Sequence, residues 1–300
     1  GAAAITTTGF PISRQRVAEL AGFDGVIENS YDAIGNCDHF TLTASAISLC
    51  AIDLSRITYD LLLWATDELK MIRVADGYIS TSSIMPQKRN PIALEHLRAS
   101  LSVVKGLAEA ILTVFLKTPY GDISDYEDAE DTMTNAMDLL MKNLELFNAV
   151  IATMDVNKEL LAKRVNESFS VVTEIADEMY RSYQIPFRKA HHFVSQLVKK
   201  AELMNYNLKN ISRDFFAQVY QEVFGEPFTQ DFIPILQSID PQRFVKSREI
   251  YGGTGPKAMA QMLSGAKEKI ERNVQWYESK VGALQKAQEM REQAIKKIMG

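Results

Sequence analysis

Thr81-Ser82-Ser83-Ile84-Met85-Pro86-Gln87-Lys88-Arg89-Asn90-Pro91, with Glu95 four residues further on, is the stretch on which the reading of the chain turns. It gathers hydroxyls, a lysine, an asparagine amide and two prolines. Proline lacks an amide donor and clashes with the turn before it, so Pro86 and Pro91 exclude a continuous helix here. The segment reads as an ordered loop between two long helical patterns. Polar loops held by rigid elements are where function concentrates.

Working outward, Leu42, Ala46, Leu49, Leu54, Ile57, Leu61 and Trp64 recur at threes and fours, so a helix is expected from about Asp38 to Lys70. A second is expected from about Pro91, a residue suited to a first helical turn, to Lys117. A third runs from about Glu127 to Met154, with Met133, Met137, Leu140, Leu144, Phe147 and Ile151 on one side. Its methionines read as core filling. Helices roughly 40 to 50 Å long exceed the globular norm and imply a bundle. Their broad apolar faces imply neighbours on several sides, hence an oligomer.

Before these helices, residues 1–36 are turn-rich, with a short helix over Ser13 to Leu20 capped by Ser13. After Met154 shorter helices are expected over Asn157–Lys163, Ser170–Gln184, Pro186–Leu203 and Asp214–Gly225. Asp240–Gly255 reads as a loop, and Pro256–Met299 as a long polar helix. The fold class is all-α. Residues 1–155 form a bundle domain carrying the quoted loop; residues 156–300 form a small helical domain whose last helix returns to the bundle.

A net charge of −5 gives no basic face for nucleic acid, while small anionic substrates need only a few local cations. No run of eighteen apolar residues and no secretory leader is seen, which disfavours membrane and export. Cys37 and Cys50 lie roughly 20 Å apart on one helix, too far for a bridge. They fit no metal spacing and suit a reducing, cytoplasmic setting. The opening Gly1-Ala2-Ala3-Ala4-Ile5, without an initiating Met, reads as the interior of a longer protein.

The quoted stretch resembles the Ser-Ser-x-Met-Pro-x-Lys-x-Asn loop of the aspartase/fumarase superfamily, whose members eliminate an amine or water from the β-carbon of a succinyl group. One departure is Thr81, where the family usually has Gly; a Cβ narrows the angles open to that hinge. Three further segments resemble the argininosuccinate lyase branch. They are Asn29-Ser30-Tyr31-Asp32-Ala33 with Asp38, the stretch from Asn166 to His192, and Arg248 with Gly252-Gly253-Thr254-Gly255-Pro256.

The resemblance covers most of the chain. It implies a homotetramer whose active sites combine segments of three subunits, with no metal or organic cofactor. The implied reaction is cleavage of argininosuccinate to arginine and fumarate in arginine biosynthesis.

Such an elimination builds negative charge on the carboxylate beside the breaking C–H bond, so cationic and donor groups belong there. Lys88 and Asn90 supply an ammonium and an amide two residues apart. The residues alone do not choose between Ser82 and Ser83 as base; the resemblance assigns Ser82, and a serine must be activated for that task. The resemblance also makes Glu95 the partner of a catalytic histidine, and Ser83, Met85, Tyr120 and Asn29 substrate-binding residues. Asn29 and Asp32 would serve equally as caps for the helix starting near Asp38.

The family's acid-side histidines fall before Gly1. Those present, His39, His96, His191 and His192, have no matching context. The chain is therefore expected to hold the loop half of a site and to show little activity alone. After Tyr120 the family has Gln and Lys, whereas here Gly121 to Asp128 is acidic, which calls for a partner group at that site carrying positive charge or many donors. Another N-substituted aspartate, a different elimination or cycloisomerisation of the superfamily, and a non-catalytic structural protein on this scaffold, as in eye-lens crystallins, are the alternatives. The run Gly252 to Pro256 lacks the Gly-Lys-Ser of a phosphate loop and reads as a structural turn.

Overall fold

The computed structural model describes residues 2–85 and 87–300; Gly1, and Pro86 of the quoted loop, lie outside these. The chain forms two compact units, one of residues 1–157 with 275–300 and the other of residues 158–274.

In the first unit, α1 (Arg14–Ala21) is capped by the Ser13 hydroxyl, which accepts from the Arg16 amide. It stops at Gly22, whose φ of 81° and close approach to Leu284 and Ala287 leave no room for a side chain. A short helix α2 (Ser30–Gly35) follows, capped by Asn29. The unit is then dominated by α3 (Asp38–Trp64), α4 (Ile92–Val114) and α5 (Asp125–Thr153), with α4 packed along both others.

Small residues sit where these helices cross: Ala44 and Ala51 on α3, Ala108 on α4, Ala129 and Ala136 on α5, all buried. The larger Leu101, Val104 and Ile111 of α4 fill the space between. A buried side-chain amide crosses it, Asn143 donating to the Ser100 hydroxyl at 2.8 Å. A second cluster, around Leu94, Leu97 and Val150, closes the other end of the helices.

The expected extension of α3 to Lys70 does not form. Thr66 donates its hydroxyl to Leu63 O and Met71 N returns to Trp64 O, rolling the chain into a turn in which Lys70 has φ 48°. Of the apolar stripe read for α3, Leu61 is buried and Leu54 packs against the core, but the rest is not the buried face. Phe40, Ala44, Ile47 and Ala51 face the core, whereas Leu42 and Leu49 are 70% and 66% exposed. On α5, Met137 and Met141 are exposed as well, so they are not core filling within this chain.

α3, and α4 with the turn after it, have the length and mean hydropathy of membrane spans. Asp53, Arg56 and Asp60 interrupt the first; Glu95, Arg98, Lys105 and Glu109 interrupt the second.

Among the described residues, four two-residue strands, unforeseen because so short a strand has no alternation to read, join the helix ends. They are β1 (Ile72–Arg73), β2 (Ser80–Thr81), β3 (Arg89–Asn90) and β4 (Asp155–Val156). β1 pairs antiparallel with β4, and β2 with β3, Ser80 facing Asn90 and Thr81 facing Arg89.

The second unit holds α6 (Lys158–Glu167), α7 (Thr173–Tyr183), α8 (Phe187–Leu203), α9 (Arg213–Phe224), α10 (Ile233–Ser238) and α11 (Pro241–Ser247). Its core is aromatic: Phe193 meets Phe216 edge-on at 4.8 Å, and Tyr220, Phe228 and Phe232 pack around them. The buried Glu174 carboxylate is held by Arg181 at 2.5 Å and by Arg248. α11 lies where a loop was expected; Asp240 caps it and Pro241 opens it. The last helix, α12 (Pro256–Met299), has the expected span, its residues from Gln275 onward belonging to the first unit.

Between α11 and α12 the chain makes a tight corner. A Cβ on Gly253 would meet Arg248 O at 2.1 Å, and one on Gly255 would meet the Glu249 carboxyl carbon at 2.7 Å. That carboxylate accepts the Lys257 and Ala258 amides, so the free amides of α12 are already satisfied by the protein. This is a capped structural turn.

Candidate active site

Antiparallel pairing of β2 and β3 makes a hairpin that presents residues 82–85 and 87–88 at its loop. Thr81 lies in the extended strand and not in the left-handed region, so this backbone does not call for glycine there. The Ser82 hydroxyl oxygen accepts two backbone amides, from Ile84 at 3.2 Å and Met85 at 3.1 Å. Ser83 receives no such pair among the described residues. The residue types left this choice open; the loop geometry distinguishes the two serines.

Two amides aimed at one oxygen favour negative charge on it, the condition under which a serine hydroxyl is more readily ionised to the alkoxide. Lys88 closes the turn, its amide bonding Met85 O at 2.9 Å. Its side chain is exposed, and among the described residues no carboxylate is within ion-pair distance of it. Asn90 is half-buried in β3, and Met85 is exposed. Glu95 lies half-exposed in the first turn of α4, where its charge also suits the helix amides. His96 next to it is exposed.

Asp76 was not singled out from sequence, because one acidic residue on a three-residue turn carries no pattern. Its carboxylate accepts from Arg73 of β1 at 3.3 Å and from Arg89 of β3. Arg89 also donates to Val74 O at 3.1 Å. These arginines hold the Asp76 carboxyl below the usual range, the Arg89 hydrogen bond contributing most. A cavity of about 270 Å³ lies at the hairpin base, lined by Lys70, Arg73, Arg89, Val74 and Pro91 among others.

The remaining candidates gather elsewhere. Asn29 accepts the Tyr31 and Asp32 amides, so it caps α2 and not a helix starting at Asp38. Tyr120 bonds the Asp32 carboxylate, Tyr31 donates to Tyr120 O at 2.5 Å, and Tyr126 donates to Ile34 O at 2.9 Å. The Tyr120 ring lies so close to Gly35 that a Cβ there would approach it to 2.6 Å. Asp125, Glu127 and Asp128, from the acidic segment, occupy the first turn of α5, where they complement its amides.

The two groups stand at opposite ends of α4. The hairpin adjoins its first residue, Tyr120 follows its last, and 23 helical residues between them span about 35 Å. Within one chain they do not form one site.

Two family models match the chain, one within each compact unit. A lyase family matches residues 1–106, and the argininosuccinate lyase C-terminal family matches residues 169–246. The argininosuccinate lyase of Methanococcoides burtonii is 34% identical over 282 residues, covering 93% of this chain and 56% of that protein. That of Methanosphaera stadtmanae is 33% identical, covering 90% and 57%. An EDDS lyase variant with bound fumarate has a TM-score of 0.90 at 27% identity, over 99% of this chain and 59% of that one.

The chain belongs to the aspartase/fumarase superfamily. A class II fumarase from Schistosoma mansoni, with a TM-score of 0.58 and 17% identity over 73% of this chain and 42% of that one, shares the fold alone. This superfamily chain spans just over half the length of the curated relatives it matches. Its long-helix bundle and smaller helical unit are those of the superfamily fold.

Proposed function

We propose that this chain contributes the loop half of the active site of a lyase that releases fumarate from an N-substituted aspartate. The observation that carries the reading is the pair of amides on the Ser82 oxygen, in the same loop as Lys88, which has no carboxylate within ion-pair distance among the described residues. Ser82 removes the Cβ proton, and Lys88 and Asn90 stabilise the charge that builds on the adjacent carboxylate. Glu95 orients a histidine brought by another segment. Ser83, Met85, Tyr120 and Asn29 are assigned to the substrate.

The distance between the hairpin and the Tyr120 corner supports a site assembled from several copies. An antiparallel second copy of the bundle would set its Tyr120 end beside the hairpin end of the first. The exposed apolar stripe of α3 offers the surface for such a partner, and a homotetramer is the proposed assembly. Such packing accounts for the hydropathy of α3 and α4 without a membrane, and a soluble cytoplasmic enzyme fits this reading.

Argininosuccinate is the substrate favoured by the curated relatives. A different N-substituted aspartate is favoured by the likeness to EDDS lyase and by the exposed Asp122, Glu127 and Asp128, where a cationic amine would be welcome. The experiment is ultraviolet detection of fumarate from argininosuccinate and from a panel of succinylated diamines, using the protein expressed from its complete reading frame. Release from argininosuccinate alone selects the first substrate, and release from diamine adducts selects the second. Intact tetramers that release none from any of them would point to a structural protein on this scaffold.

A further inference from the structure

We propose that Asp76, acting through Arg89, is the positioning residue that fixes the strand carrying Lys88 and Asn90. Arg89 stands between the two groups assigned to the substrate carboxylate. On an extended strand successive side chains leave on opposite faces, so Arg89 and Asn90 diverge. Arg89 therefore has nothing to offer the substrate side, and it finds two acceptors on the other: the Asp76 carboxylate and Val74 O.

The Asp76 carboxylate is shared. Arg73 reaches it from β1, which is itself paired with β4 at the end of α5. One carboxylate thus ties the β2–β3 hairpin to the β1–β4 pair, and through it to the bundle. The hairpin's base is anchored, Ile79 before β2 packing on the Leu94–Leu97–Val150 cluster and β3 leading through Pro91 into α4, but beyond that base little else holds it. Its ladder is two residues long, and the described side chains from Ser83 to Lys88 are exposed.

An exposed ion pair contributes little to global stability. Asp76 and Arg89 therefore matter for where the strand lies rather than for whether the protein folds. Misplacement by about 1 Å can cost on the order of a hundredfold in rate. The role in catalysis rests on the lyase reading above; the tie itself does not.

The test compares wild type with Asp76→Asn, Arg89→Lys and the Asp76→Asn/Arg89→Lys double variant. Asp76→Asn keeps the shape and one acceptor, and Arg89→Lys keeps the charge without the fork. Circular dichroism confirms the fold in each.

Hydrogen exchange of amides in residues 82–90 is expected to rise by about tenfold or more in each single variant and no further in the double, because both remove one link. Exchange in α3, α4 and α5 stays unchanged. In the fumarate assay kcat falls by roughly tenfold to a hundredfold while KM moves less than about threefold.

Unchanged loop exchange, additive effects in the double variant, or a faster loop with unaltered kcat overturns the proposal. A loop that loosens in a protein that turns over no succinyl amine retires the lyase reading and leaves the tie supported.

Discussion

Tyr120 donates its hydroxyl to the Asp32 carboxylate, fastening the connection between α4 and α5 to the short helix that precedes α3. The phenol is pushed up to about 12, chiefly by that hydrogen bond. Tyr183 is also pushed to about 12, in its case mainly by burial. A tyrosine ordinarily ionises near 10.

Between about pH 10 and 12 the folded state thus holds a proton that the unfolded state has released. The stabilisation is complete below the unfolded value and is lost as pH rises through the folded one. An ultraviolet titration of tyrosinate is expected to show late-ionising groups near pH 12. Tyr120→Phe removes one of them, and Asp32→Asn returns Tyr120 towards 10. An alkaline titration that loses no late group in Tyr120→Phe would contradict the contact.

The corner before α12 makes a second prediction, from two glycines in one unit. Gly253→Ala places a Cβ against Arg248 O and Ile250 O, both backbone atoms, and is expected to cost about 1–3 kcal/mol or more. Gly265→Ala, in open helix with nothing within 4 Å, is expected to stabilise by about 0.5–1 kcal/mol. Denaturant midpoints for the second unit check both signs. Equal effects at the two positions would show that the corner is not closed as described.

A third concerns assembly. Leu49 is 66% exposed, so Leu49→Glu puts a charge on the surface of a single chain at little cost to its fold. In an oligomer packed through the α3 stripe the same charge is buried without a partner. Light scattering is expected to give a tetramer for wild type and smaller species for the variant. A variant of unchanged mass would remove the stripe from the interface.

The fold was legible where one physical signal repeats over many residues. α12 was placed within its bounds because more than ten turns of helix average out local ambiguity. α1 was found through the Ser13 cap. The stop of α3 was missed because it rests on the Thr66 hydroxyl and a left-handed Lys70, neither of which announces itself as Gly or Pro does. α2, α10 and α11 are too short for periodicity, although Asp240-Pro241 did carry a start signal for α11.

Which stripe of α3 is buried within the chain was not readable either. Apolar residues cover most of the helix, and Phe40, Ala44, Ile47 and Ala51, with only Leu54 and Leu61 of the expected stripe, are the ones that pack inward. At the site, the chemistry of the loop stood in the sequence, but its hairpin pairing and the tie from Asp76 depend on contacts between distant residues. So does the separation of Tyr120 and Asn29 from the hairpin by the length of α4.

The most direct measurement is fumarate release by wild type, Ser82→Ala and Ser83→Ala, each expressed from the complete reading frame, with the best substrate of the panel. Loss of a positioned base typically costs 10²- to 10⁴-fold. Ser82→Ala is expected to fall by about that much with its fold and assembly intact, and Ser83→Ala by far less. A Ser82→Ala protein that releases fumarate at close to the wild-type rate would contradict the assignment of the amide-held hydroxyl as base.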